Sequence, residues 1–165
     1  ITDMRIRPVT FLSYNLKFGT TKEGKKAPML YPNMKAVNKA VKEAFDIVKK
    51  ARYSPDDSWF AINIERANEV LVGLSNYFNK GISKNVLSKI DHRMFWTLFK
   101  AFESYYRYDK KTTLMKNHYV SMNMLGNRIP RHMKYTGKTF AIKVDGIWIG
   151  LTHCNITPVK YSRRK

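Results

Sequence analysis

Residues 60–78 read Phe-Ala-Ile-Asn-Ile-Glu-Arg-Ala-Asn-Glu-Val-Leu-Val-Gly-Leu-Ser-Asn-Tyr-Phe. Phe60, Ile64, Ala67, Leu71, Leu74 and Phe78 recur at intervals of three and four, the spacing of one face of an α-helix. The cluster Ser54-Pro55-Asp56-Asp57-Ser58 supplies turn and capping residues before this stripe, and Gly81 supplies a stop after it. Upstream, Asn33 is an N-cap, and Met34, Val37, Val41, Ala44, Phe45 and Val48 form a second stripe. Lys35, Lys39, Lys42, Lys49 and Lys50 lie mostly off that stripe. Downstream, Leu87, Ile90, Met94, Leu98, Phe102 and Tyr105 form a third, capped by Ser83 or Asn85 and running to about Tyr108. Three amphipathic helices joined by short loops predict a compact helical bundle.

The flanks read differently. Residues 9–18 are aromatic and β-branched with partial alternation and predict a strand. Residues 19–28 predict a basic loop, and Met29 to Tyr31 a short returning strand closed by Pro32. Lys110 to Lys116 continue helically. Thr139 to Val144 and Ile147 to Leu151 predict a β-hairpin across Asp145-Gly146, a type I′ turn signal. Residues 160–165 are a basic tail. The expected class is α+β, mainly α. Its organisation is 1–32 with the opening strand and basic loop, 33–109 with the helices, and 110–165 with the hairpin and tail.

Charge narrows the function. The chain carries 31 Lys and Arg against 12 Asp and Glu, a formal net charge of +19. From Lys110 onward Asp145 is the one acid against twelve Lys and Arg. Such an excess repels itself and is relieved by a polyanion, with nucleic acid first and an anionic membrane second. The 165 residues suffice to bury a core of one domain or two small ones. Cys154 is the single cysteine, which excludes an intramolecular disulfide and a thiolate metal cluster. No apolar run approaches the ~20 residues of a membrane span. The start at Ile1, inside a strand-like run, predicts a fragment or a processed chain.

No complete active site is legible. Asp56-Asp57 is the acidic pair that could hold a catalytic metal, but capping and macrodipole complementation account for it. His92, His118, His132 and His153 show no i, i+4 metal pairing. His153 and Cys154 are adjacent, so in a strand they point to opposite faces and form no dyad. Gly73 inside a helix costs ~1 kcal/mol relative to alanine and predicts the close approach of another backbone, protein or nucleic acid. Asn76 reads either as a base or 2′-hydroxyl contact or as a helix-packing hydrogen bond. Aromatics crowd the second and third helices. Most belong to the core, and exposed members beside Lys80, Lys84, Arg93, Lys100 and Arg107 could stack on unpaired bases.

These residues resemble the C-terminal part of a group II intron reverse transcriptase, or maturase. Phe11-Leu12-Ser13-Tyr14 is similar to the Phe-Leu-Gly-Tyr motif near the end of that family's palm. Pro32 with the basic helix after it resembles the start of the thumb. Val72-Gly73-Leu74-Ser75-Asn76-Tyr77-Phe78 resembles the Arg-Gly-Trp-Ala-Asn-Tyr-Tyr signature of the maturase, or X, domain. Ile90-Asp91-His92 with Phe95-Trp96 and Leu98-Phe99 resembles the aromatic helix after it. Phe140-Ala141, Gly146 and Ile156-Thr157-Pro158-Val159 resemble the closing stretch. Ser13, Val72 and Leu74 depart from glycine, arginine and tryptophan, and Val72 removes any phosphate contact by that arginine.

The resemblance implies a segment that binds group II intron RNA to assist splicing and grips the RNA template–DNA primer duplex during reverse transcription. It implies target DNA and the upstream palm and fingers as further partners, and no membrane. The catalytic Tyr-Ala-Asp-Asp is absent, so the polymerase site and its Mg2+ are expected upstream of Ile1. No cofactor is expected in this segment beyond Mg2+ held there and by the RNA. The location implied is the bacterial cytoplasm or a eukaryotic organelle. Candidate RNA contacts are Lys35, Lys39, Lys42, Lys49 and Lys50, then Asn76, Lys80, Lys84, Arg93 and Lys100. Arg128, Arg131, Lys134, Lys138, Arg163, Arg164 and Lys165 are candidates for intron or target-DNA contact. The alternative is a non-catalytic basic nucleic-acid-binding component of a ribonucleoprotein.

Overall fold

The computed structural model describes residues 8–78, 84–107, 110–126 and 137–152. The order is β1 (Val9–Phe11), β2 (Tyr14–Thr20), β3 (Lys26–Pro32), α1 (Met34–Ala51), α2 (Asp57–Phe78), α3 (Lys84–Tyr105), α4 (Lys111–His118), β4 (Tyr119–Ser121), a 3-10 turn at Met122–Met124, β5 (Lys138–Val144) and β6 (Ile147–Gly150). The strands form two antiparallel three-stranded sheets, β1-β2-β3 and β4-β5-β6. The fold is α+β and mainly helical.

The strand expected over 9–18 is instead a hairpin. Leu12 and Ser13 take φ of +45° and +64°, and β2 folds back on β1 with Phe11 opposite Tyr14. Two positive φ values are the mark of a primed two-residue turn, which normally carries Asn or Gly. Neither is present, so the alternation reads straight through the turn. Ser13 stands where the resembled motif has glycine, and its left-handed backbone is a conformation that glycine adopts without steric cost. The returning strand is also longer than expected, because β3 pairs with β2 along its whole length, from Thr20↔Lys26 to Tyr14↔Pro32. Pro28 and Pro32 are accommodated because β3 is an edge strand.

Asn33 caps α1, its side-chain oxygen accepting from the Lys35 amide at 3.0 Å. Val37, Val41, Ala44, Phe45 and Val48 are buried as the periodicity requires, with Ala51 added at the end. Met34, expected in the same stripe, is exposed because it opens the first turn, ahead of the packed part of the helix. Asp56 precedes α2 and caps it, its carboxylate accepting from the Trp59 amide at 2.9 Å. All six stripe residues of α2 are buried. Gly73 is exposed, and nothing lies within 4 Å of where its Cβ would stand. Among the described residues no protein backbone makes the close approach expected there. The Gly81 stop and the Ser83 cap fall outside them.

The third helix ends at Tyr105, not Tyr108, and α4 is a separate helix. The reason lies in the adjoining phenols. Tyr105 and Tyr106 both donate to the Asp57 carboxylate, at 2.9 and 3.3 Å. This ties the end of α3 to the start of α2 and turns the chain there. Asp57 is thus more than a macrodipole partner.

The helices do not close a bundle by themselves. α1 packs on both α2 and α3, and β5 packs on α2 and α3 as a further wall. Phe140 of β5 places its ring 5.6, 5.1 and 5.6 Å from those of Phe95, Phe99 and Phe102. The β5–β6 turn is the expected one, with Asp145 and Gly146 at φ +50° and +82°. Buried Asn68 fastens this hairpin to α2. Its amide donates to the Gly150 carbonyl at 2.9 Å and its oxygen accepts from the Thr152 amide at 2.8 Å. At the other end, buried Tyr14 donates to the Tyr77 carbonyl at 2.6 Å and packs on Tyr77 and Phe78. One buried apolar cluster runs from Tyr14 through the helices to Leu151.

Three outcomes follow. Asn68→Ala removes the buried side-chain hydrogen bonds to the Gly150 carbonyl and the Thr152 amide and costs about 1–3 kcal/mol in urea unfolding. Ser13→Gly relieves a left-handed penalty of ~1–2 kcal/mol against the larger unfolded-state entropy of glycine, for a net gain of about 0.5–1 kcal/mol. The third concerns alkali. Burial, then the hydrogen bond to Asp57 and the Asp57 and Asp56 charges, push the Tyr105 phenol up from 10.0 to about 12. A folded-state value above the unfolded one means the clamp contributes fully below pH ~10 and is lost as pH rises through ~12. Thermal melts across that window show this loss in the natural protein and a smaller one in Tyr105→Phe.

Candidate nucleic-acid interface

With 3.6 residues per turn, Lys35, Lys39, Lys42, Lys49 and Lys50 fall within an arc of roughly 100° on α1, opposite Val41, Ala44 and Val48. All five are exposed. The spacing follows from amphipathicity, because the residues that cannot be buried collect on the face away from the core. On α3 the same logic sets Lys89, Arg93, Trp96 and Lys100 at intervals of four, three and four on an exposed stripe. Because α1 and α3 are neighbours, the two cationic stripes flank a common groove.

That groove has a volume of about 540 Å3. Asn38, Lys42, Asp46 and Lys49 form one wall, His92, Arg93, Trp96 and Thr97 the other, and Val41 and Phe45 also line it. Its parts are held in place. The Arg93 guanidinium lies 4.9 Å from the centre of the Phe45 ring, a cation–π contact that leaves its N–H groups free to turn toward a ligand. The Trp96 indole N–H donates to His92 Nε2 at 3.2 Å. Lys49 pairs loosely with Asp46 at 3.8 Å, an exposed ion pair of little energetic weight. Lys42, Lys49 and Arg93 are therefore the sequence-expected contacts that the fold brings to one place.

The others are distributed more widely. Lys35, Lys39 and Lys50 share the α1 face, and Lys100 the α3 stripe. Lys138 opens β5 with its ammonium 5.7 Å from the centre of the Tyr119 ring. Asn76 is exposed on α2 and does not line the groove. Of Lys84 only the backbone is described, as the first residue of α3. Lys80, Arg128, Arg131, Lys134, Arg163, Arg164 and Lys165 lie outside the described residues, as do His132 and His153. Sequence reasoning missed Asn38, Lys89 and Thr97 as members of this surface, and took His92 and Trp96 separately. The i, i+4 spacing of His92 and Trp96 is the signal that joins them.

The outward side of α2 has a different character. It carries Glu65 and Glu69 against Arg66, with exposed Val72 and Tyr77 beside Gly73. The cationic character of the three long helices thus belongs to α1 and α3.

Residues 54–120 match the group II intron maturase-specific domain. The match opens at the turn before α2 and extends through α3 and α4. It spans the resembled signature at 72–78 and the aromatic helix after it, and points to a maturase-related function. The matched segment supplies the His92–Trp96 wall of the groove, while the lysine wall on α1 precedes it. No curated protein and no solved structure matches the chain. Among the described residues no helix is long and apolar enough to cross a membrane, and no group of His, Cys, Asp and Glu is placed to hold a metal ion.

Proposed function

We propose that the chain binds group II intron RNA through the α1–α3 face and helps that RNA reach its splicing-competent fold. The observation that carries this reading is the convergence of Lys42, Lys49 and Arg93 on one groove, extended by Lys35, Lys39, Lys89 and Lys100. Such a surface neutralises phosphates and releases their counterions, which yields affinity with a steep salt dependence. A helix face of this kind also suits the shallow minor groove of an A-form duplex, read through phosphates and 2′-hydroxyls. The same surface is our candidate for gripping a template–primer duplex in a parent RNA-directed DNA polymerase, in the compartment where the intron RNA is made.

Bond making and breaking fall to other groups in this reading. Asp56 and Asp57, the one acidic pair, accept from the Trp59 amide and from two tyrosines, and these capping and clamping roles account for both. Splicing chemistry belongs to the RNA and its metal ions.

The test compares a structured group II intron RNA with a random duplex of equal length across a salt series. The natural chain is expected to favour the intron RNA at every salt concentration. Replacing Lys42, Lys49 and Arg93 together with glutamine is expected to lower the slope of log K against log salt by about 3 and to weaken both interactions. Equal affinities for the two RNAs would leave generic polyanion binding, the property of a basic ribonucleoprotein component. An unchanged slope in the triple variant would remove the groove from the interface.

A further inference from the structure

We infer that the α1–α3 groove is a pocket for one unpaired RNA nucleotide, with the base stacked on Trp96 and its phosphates between Lys42 and Arg93. The inference rests on the RNA-binding reading above and specifies its ligand. Trp96 is 45% exposed on the wall of the groove, in a protein whose other α3 aromatics mostly turn inward. A large indole in that position needs an account, and its surroundings supply one. His92, Phe95 and Phe99 all meet the indole nearly at right angles, with interplanar angles of 78°, 85° and 83° and centroids 6.3, 5.5 and 5.8 Å away. Three perpendicular neighbours hold the ring in one orientation. Its N–H is already engaged by His92. What the indole still offers is a π-face, the surface on which nucleobases stack regardless of sequence.

Size and charge agree with this ligand. About 540 Å3 lies within the range of pockets that enclose a small molecule, roughly 300–1,000 Å3, and suits one base with its ribose-phosphate. One unpaired nucleotide can enter the groove, whereas a duplex lies across its rim. Lys42 and Arg93 stand on opposite walls at phosphate-binding positions. Asn38 offers a donor and an acceptor to a base edge, and the Asp46 carboxylate suits a base amino group better than a second phosphate. Intron RNA presents such nucleotides in loops and bulges, whereas a regular duplex presents none.

The experiment uses the full chain and two RNAs of equal length and charge, a perfect duplex and one with extruded single nucleotides. Fluorescence anisotropy gives the ratio of their affinities. Trp96→Ala is expected to lower the preference for the bulged RNA about tenfold, and Trp96→Phe to restore most of it. In a Trp59→Phe/Trp148→Phe background, the emission of Trp96 is expected to be quenched by the bulged RNA far more than by the duplex. This second measurement decides the matter if Trp96→Ala fails to fold. An unchanged ratio, or quenching alike by both RNAs, would overturn the pocket. If Lys42→Gln/Arg93→Gln still weakens binding in that case, the cationic face stands and the nucleotide pocket falls. If neither variant alters binding, both readings fall.

Discussion

The ring of Phe102 is the constraint on which the groove depends. It is fully buried and meets Phe60 of α2 at 4.8 Å, His118 of α4 at 5.2 Å and Phe140 of β5 at 5.6 Å. Three elements converge on this one residue of α3. Aromatic pairs of this kind add to the area they bury because edge and face carry opposite partial charges. With the inner side of α3 pinned in this way, its outer side is fixed in direction, and Arg93 and Trp96 face α1.

The cluster also shows how a strongly cationic chain can bury an apolar core. The described cations are exposed, and those of α1 stand on the face turned away from the buried cluster. Self-repulsion is thus confined to solvated, high-dielectric positions where each unit of charge costs little. The buried polar groups, by contrast, are neutral and matched. Asn68 satisfies the Gly150 carbonyl and the Thr152 amide, and Tyr14 satisfies the Tyr77 carbonyl. The C-terminal hairpin and the N-terminal strands are therefore fastened to the helices by the same kind of buried contact.

The helices were legible because periodicity is a local property. Val37, Val41, Phe45 and Val48, and likewise Phe60, Ile64, Leu71 and Phe78, are buried where a 3.6-residue repeat places them. The Asp145-Gly146 hairpin was legible because its turn carries the residues that its backbone demands. The Leu12-Ser13 turn was not, because its positive φ values are imposed by strand pairing and by the docking of Tyr14 and Tyr77 rather than by its own side chains. At Gly73 no protein neighbour crowds the helix, since this glycine faces open space.

By itself the sequence determined that α1 would have a lysine face and α3 an aromatic-cationic one, since each is a matter of spacing along one helix. Its charge excess also predicts a polyanion as partner. Only the tertiary structure decided that Lys42, Lys49, Arg93 and Trp96 share a groove while Asn76 does not line it. The physical reason is that the rotation and pairing of helices are set by long-range side-chain packing, here around Phe102 and Phe140. No local pattern encodes which outer faces that packing will leave side by side.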